Sequence, residues 1–547
     1  MVIDHVVVLC LENRSFDHML GYLDHPSPDF EGLLGSYDNP GWDGGPRVAA
    51  SPDAKKVLPF GPDHSHDAVM EQLSVNRSGP EWRPTNQGFV TSYERKARGL
   101  APPRMSGIFA PILNRLSALK VKSQATGSGR GPLAMLCQPM QNVPVLSRLA
   151  LDFAVCDHWF CSVPGETWPN RNYLHAATSD GETDIEPRPY LNPTIFELLE
   201  EHGHTWHIYH DDTPQVWAFP KLWDTPERHA KWYPSNRFAE HVAAGQLAAY
   251  SFIEPNHRPP FHTLDHQPLL GEGPDVSTSQ HPENNLVSNA AYDEFDPATD
   301  TDFARGESLI ANVYEALRGN PDLFARTLLV ITYDEHGGLF DHVPPPDGVP
   351  APGDGRSGLG RLLHALWHRS VHPFDFTLLG PRVPTVLVSP LIPAGTLVSR
   401  IHDHASVPST LRALFAPDAS PLTARDAWSP PFHDVASLAE PRTDLPDLSA
   451  YLPAVPLVSA ASNAGSRAAR TTSVADAARP VPLAAPVPTH YQPFVAQAEK
   501  VRAHLVAINE PEAGAVNATS DSVRASQITA AFSDAAHRHR HPDEVHP

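Results

Sequence analysis

Residues 5–20 read HVVVLCLENRSFDHML. The apolar run Val6 to Leu11 stops abruptly at Glu12 and Asn13, with Arg14, Ser15 and Asp17 close behind. A run this short and this uniformly apolar predicts a strand buried on both faces, as in a parallel sheet. The pattern returns at 152–157 (DFAVCD), 206–209 (WHIY), 251–254 (SFIE), 328–334 (LLVITYD) and 383–390 (VPTVLVSP). Between these runs lie helical segments. PTIFELLEEHG (193–203) ends in a glycine stop, and ESLIANVYEALRGNP (307–321) has Leu309, Ile310, Val313 and Leu317 on one side before Gly-Asn-Pro. The alternation predicts an α/β fold with a mainly parallel central sheet flanked by helices. In such sheets ligands bind beyond the carboxyl ends of the strands.

Two of the runs end alike. The first delivers Glu12-Asn13, and 328–334 delivers Asp334-Glu335 ahead of HGGLFDH. Two acidic, oxygen-rich pairs at one sheet edge suit a divalent cation. Taken singly, each pair also fits an ordinary strand-end turn. A third segment, FCSVPGETWPNRNYLH (160–175), follows the strand at 152–157. Its Thr167 sits between Gly165 and Pro169 at a strand-to-helix turn, where a helix N-terminus favours an anion. A hydroxyl held against a divalent metal can act as a nucleophile, although Thr in such a loop is more often a turn or cap residue.

The bulk composition bounds the partners. The chain has 547 residues, which suits one large domain or one domain with appendages. With 59 prolines and 33 glycines, long loop insertions are expected, at 76–135 and 258–305. The formal net charge of −22 argues against nucleic acid and against a polybasic membrane anchor. A phosphate ligand then requires local positive charge from a metal, His or Arg. Cys10, Cys137, Cys156 and Cys161 form no CxxC or zinc spacing and read as free thiols. No signal peptide or transmembrane span is visible, so a cytoplasmic location is expected. From about 436 the composition turns to Ala, Pro, Ser and Val. The domain expectation is therefore a catalytic unit at 1–436 and an irregular tail at 437–547 with one helix at 494–508. The tail is expected to be dispensable for turnover; failing that, it would cover the site or lend its helix to a homo-oligomer interface. The last residues, HRHRHPDEVHP, read as disordered.

ENRSFDHMLGYL (12–23), VPGETWPNRNY (163–173), ITYDEHGGLFDHVPPP (331–346), DHASVPSTLRALF (403–415) and LTARDAWSPPFHDV (422–435) occur in that order. Together they resemble the bacterial phosphoesterase family that includes phospholipases C and a related acid phosphatase, over residues 1–436. The resemblance implies an alkaline-phosphatase-like core and a metal-assisted attack on a phosphate ester. It implies Glu12, Asn13, Asp334 and Glu335 as ligands of one divalent ion (Ca²⁺, Mg²⁺, Mn²⁺ or iron). Thr167 is implied as the nucleophile, also touching that metal. His66 in GPDHSHDAV and His281 in TSQHPENN correspond to the histidines around the phosphoryl group, with His257 in EPNH a rival for the second. Asn170, Arg171 and His257 are expected at the substrate, while His336, His342 and His404 brace the site. The implied reaction is in-line attack to a phosphothreonine, protonation of the leaving oxygen by a histidine, and hydrolysis by water.

Glu166 departs from the family, where Pro commonly stands beside the nucleophile; it would repel an anionic substrate unless it points to solvent. The basic stretch 115–131 offers either a head-group contact or a solvated loop. Small-molecule and lipid phosphate esters both remain open as substrates. A sulfatase-like enzyme is a second reading, although no C/S-x-P-x-R segment fits it. A catalytically degenerate metal-holding protein is the third.

Overall fold

The computed structural model describes residues 3–78, 81–100, 128–257, 277–288, 291–292, 301–353, 374–452, 490–508, 510–514, 516 and 521–541. Most of the basic stretch 115–131 and the Ala/Pro-rich run 453–489 lie outside them.

The central sheet is built from β1 (His5–Leu11), β2 (Ala154–Cys156), β3 (Trp206–Tyr209), β4 (Trp232–Tyr233), β5 (Tyr250–Ile253), β6 (Thr327–Tyr333), β7 (Thr385–Val388) and β8 (Thr396–Val398). Their spatial order is β8-β2-β7-β6-β1-β5-β3-β4. The first strand lies in the middle, parallel to β6 on one side and β5 on the other. Val6 to Leu11 are completely buried, as the unbroken apolar run requires. The sheet is mainly parallel, with one exception. β7 runs antiparallel to both β6 and β2.

The helices that matter below are α1 (Phe16–Leu20), α2 (His66–Gln72), α3 (Thr167–Ala176), α4 (Ile195–Glu201), α5 (Asp302–Arg318), α6 (Ser406–Phe415), α7 (Gln492–Ala507) and α8 (Asp521–Arg540). Local chemistry sets their starts. Thr194 and Glu197 close a capping box at α4, and Thr301 accepts the Ala304 N–H at α5. α3, α4 and α6 pack on one another. All four cysteines are free and buried.

The C-terminal segment holds more structure than the single helix expected at 494–508. α7 is there, but α8 follows it, and His537–Arg540 of the supposedly disordered end belong to that helix. Both helices join the main core: Phe494, Val501, Leu505, Ile528 and Phe532 pack in one cluster with the sheet. Phe494, Ala498, Val501 and Leu505 of α7 are thus buried inside the chain. Among the described residues, no helix is long and apolar enough to cross a membrane.

Candidate active site

β1 and β6 pair with Leu11 opposite Tyr333, so Glu12-Asn13 and Asp334-Glu335 leave the sheet side by side. Two cross-links hold this edge. The Asp334 N–H donates to the Leu11 carbonyl at 3.2 Å, and the Asn13 N–H donates to Asp334 Oδ1 at 3.0 Å. Asn13 has φ 58°, a left-handed conformation uncommon outside glycine. Its carbonyl lies so near Gly337 that a Cβ there would stand 2.0 Å away, with φ already at +66°. The first glycine of HGG is therefore required by the turn that delivers the acidic pair.

Thr167 begins α3, in which every residue is buried. Its Oγ1 donates to Asn13 Oδ1 at 3.3 Å, bringing the hydroxyl to the strand-end pair. The preceding loop is closed by Asn170, whose Oδ1 accepts the Val163 N–H at 3.0 Å and whose Nδ2 donates to the Gly165 carbonyl at 3.2 Å. Arg171 is fully buried and donates from Nε to Asp334 Oδ2 at 2.9 Å, from Nη1 to Glu254, and from Nη2 to the Cys10 and Leu11 carbonyls. Both residues, expected at the substrate, are committed to bonds within the protein. Asn170 shapes the loop that leads into Thr167, and Arg171 locks the two strand ends together.

The histidines divide unexpectedly. His66 opens α2, and its Nδ1 lies 2.5 Å from the Pro164 carbonyl in the loop that leads into Thr167. His64 takes the frontal position, with Nδ1 2.9 Å from Glu335 Oε1 and 3.4 Å from Asn13 Nδ2. Burial opposes a charge on His64, but the Glu335 carboxylate outweighs it and carries the pKa up to about 9. His281 sits edge-on to His64 with ring centroids 5.7 Å apart. Its Nδ1 accepts the Glu283 N–H at 3.0 Å, which leaves Nε2 as the protonated nitrogen of a neutral ring. Burial, then the nearby His490, keeps its pKa well below the usual value. His257 bridges Glu12 Oε2 at 2.9 Å and Glu254 Oε2 at 3.3 Å, so it supports a carboxylate rather than reaching outward. His404 holds the Asp334 carbonyl at 2.6 Å, His336 meets Gln72 Oε1 at 2.7 Å, and His342 pairs with Asp17 Oδ2 at 2.7 Å.

Among the described residues, no three Asp, Glu, His or Cys side chains converge as a ready cation cage. The donors nevertheless fit a hard divalent ion in kind. Glu335 Oε1 is buried and faces His64 Nδ1 at 2.9 Å, and a carboxylate oxygen has a further acceptor position to offer. Asp334 Oδ1 accepts two backbone N–H groups, while Oδ2 accepts only from Arg171 and keeps an acceptor position. Burial, with Glu12 and Glu335 adding to it against the pull of Arg171, pushes the Asp334 carboxyl up to about 7. That crowding of negative charge is what a cation relieves.

The phosphoesterase family model matches residues 3–416. The chain belongs to the Phosphoesterase family. Non-specific phospholipase C6 of Arabidopsis thaliana is 34% identical over 456 residues, covering 81% of this chain and 74% of its own length. Phospholipase C A of Mycobacterium tuberculosis is 26% identical over 459 residues, covering 77% and 74%. A solved protein of the alkaline phosphatase superfamily from Vibrio parahaemolyticus overlays at TM-score 0.28 with 13% identity, over 54% of this chain and 65% of that one; the overlay is too remote to argue from. This phosphoesterase is a hydrolase acting on phosphoric ester bonds.

Within the phosphoesterase, Glu166 is partly buried and tied to the neighbouring loop. Its Oε2 accepts the Ile185 N–H at 2.5 Å, and burial followed by Asp184 pushes its pKa up to about 8. A carboxyl pushed toward its neutral form repels an anionic ester less than an ordinary carboxylate does. Sequence reasoning missed His64 and Glu254. The DHSH segment offered both histidines, and nothing in a loop says which ring faces the strand ends. Glu254 ends its strand (SFIE) as Glu12 and Asp334 end theirs, so the same signal was there to be followed.

Proposed function

We propose that this phosphoesterase hydrolyses phosphate esters by in-line attack of the Thr167 hydroxyl, through a phosphothreonine, with a divalent metal held by Glu12, Asn13, Asp334, Glu335 and Thr167 itself. The observation that carries the reading is the Thr167 Oγ1–Asn13 Oδ1 contact of 3.3 Å, which sets a hydroxyl at a helix start against the strand-end oxygens. A bound divalent ion supplies charge neutralisation for the phosphoryl oxygens and lowers the pKa of a hydroxyl beside it. The chain's own groups divide the remaining work. Arg171 and His257 hold Asp334 and Glu12 in place. His281 offers a neutral Nε2–H to a phosphoryl oxygen. His64, 2.9 Å from Glu335 Oε1 and 3.4 Å from Asn13 Nδ2, is the group placed to protonate the departing alcohol, a role typically worth about 10²–10⁴-fold. Departure of the alcohol breaks its bond to phosphorus and leaves the phosphoryl group on Thr167 Oγ1, the hydroxyl proton having gone to solvent; water then attacks phosphorus, His64 takes back a proton from it, and cleavage of the P–Oγ1 bond releases the phosphate product and lets Thr167 regain its proton from solvent.

The phospholipase C names of the relatives favour a phospholipid phosphodiester as substrate, and the residues themselves are compatible with a smaller ester. The test is a turnover assay with phosphatidylcholine, a phosphomonoester and a soluble phosphodiester, with and without chelator, followed by mass spectrometry of the acid-quenched reaction. A phosphoryl adduct on Thr167 and chelator-sensitive turnover are expected. Full activity in Thr167→Ala would remove the proposal and point to direct attack by water.

A further inference from the structure

The C-terminal segment, beyond the residues matched by the family model, reaches the proposed site. His490 lies flat on His281, with ring centroids 4.3 Å apart and planes 15° from parallel. Its Nδ1 is 2.6 Å from Glu283 Oε2. Glu283 also donates the backbone N–H that fixes the His281 tautomer, and its other carboxylate oxygen is 3.3 Å from Lys96 Nζ. His281 is thus restrained from its face by the His490 ring and from its edge by a residue that His490 itself holds.

Four residues later, Phe494 stacks on His257 at 4.7 Å and meets Trp168 edge-on at 5.7 Å. His257 is the partner of Glu12, and Trp168 adjoins the nucleophile. The segment is firmly seated. The Tyr491 hydroxyl donates to Asp212 Oδ1 at 2.9 Å, and Phe532 of α8 is enclosed by Trp217, Trp232 and His229.

We infer that His490 and Phe494 are positioning residues for phosphoester hydrolysis: ring stacking holds His281 and His257 in the orientation that the reaction needs. The inference rests on the assignment of Thr167, His281 and Glu12 to the site. Aromatic faces in offset contact restrict rotation of both rings. Geometry matters here because a misplacement of about 1 Å can cost about 10²-fold in rate. The tail is therefore part of the catalytic unit, against the expectation that residues past about 440 are dispensable.

The test uses the full chain and a chromogenic phosphodiester, with kcat, KM and urea midpoint measured for His490→Gln, His490→Phe and Phe494→Leu. Gln keeps a polar partner for Glu283 and loses the flat ring; Phe keeps the ring and loses the polar partner. The expected result is a fall in kcat of about tenfold or more for His490→Gln and Phe494→Leu, with KM little changed. His490→Phe should stay within about threefold of the parent. Parental kcat in both Gln and Leu variants overturns the inference, and so does a loss in Phe matched by retention in Gln. Thr167→Ala in the same assay separates the failures: if it remains active, the site assignment itself is wrong, whatever His490 does.

Discussion

At the scale of single residues, the clearest contrast is between His64 and His66, two positions apart and pointing to different work. His64 faces Glu335 and Asn13, so His64→Gln should lower kcat by about 10²–10⁴-fold with little change in stability. His66 is bonded to the Pro164 carbonyl, so His66→Ala should cost about 1–3 kcal/mol of stability and less in rate. Steady-state kinetics and urea midpoints on both variants decide it; a dead His66 variant beside a near-normal His64 variant reverses the assignment. Arg171 gives a second expectation. Arg171→Met leaves Asp334 and Glu254 buried without their partner, a loss of about 3–5 kcal/mol in the urea-derived stability. Lys should not rescue it, because one ammonium cannot replace a fork that reaches two carboxylates and two carbonyls. A parental urea midpoint in either variant would contradict this. The positions of Glu12, Asn13, Thr167, Asp334 and Glu335 were legible because strand ends and a strand-to-helix turn are visible in the sequence. The roles of Asn170 and Arg171 were not, because motif membership does not say which side chains the fold turns inward.

At the scale of elements, the turn after β6 carries the site and should be intolerant. Gly337→Ala places a Cβ against the Asn13 carbonyl at +66° φ, so a cost of at least about 1–3 kcal/mol is expected together with reduced turnover. Gly348 is the control: its φ is +76°, but nothing lies within 4 Å of an added Cβ. Gly348→Ala should therefore cost only the backbone preference, about 1–2 kcal/mol, and leave turnover intact. Equal kinetics in the two variants would show that the Asn13 carbonyl does not matter. The buried strands were legible from their apolar runs, but the direction of β7 was not, since a run buried on both faces looks the same either way round. β8 has three residues and β4 two, too few for a periodic signal. α8 is a different case. Ala525, Ile528, Ala531, Phe532 and Ala535 recur at three- and four-residue spacing and are buried. That helical face is readable from the spacing alone, although a His/Arg-rich end follows it.

At the scale of the whole molecule, histidines buried far from solvent set the response to acid. His175 packs edge-on to Phe252 with ring centroids 4.7 Å apart, His210 lies beside Trp232 and Phe532, His229 beside Phe532, and His402 is stacked on Trp159. In all four, burial is the main force lowering the pKa, to about 3 for His175 and His229 and about 4 for His210 and His402. The unfolded chain keeps these rings near the ordinary value of about 6.5, so it binds protons first as pH falls. Stability from these groups is therefore complete above about pH 6.5 and is lost progressively as pH drops toward 4 and then 3. Each ring contributes up to about 1.4 kcal/mol of loss per pH unit within that window. His175→Leu keeps the apolar packing and removes one titrating site, so its urea midpoint should fall less steeply with acid than the parent's. A parental midpoint that stays flat from pH 7 to 4.5, or a His175→Leu slope identical to the parent's, would show that these rings are already protonated or exposed in the native state.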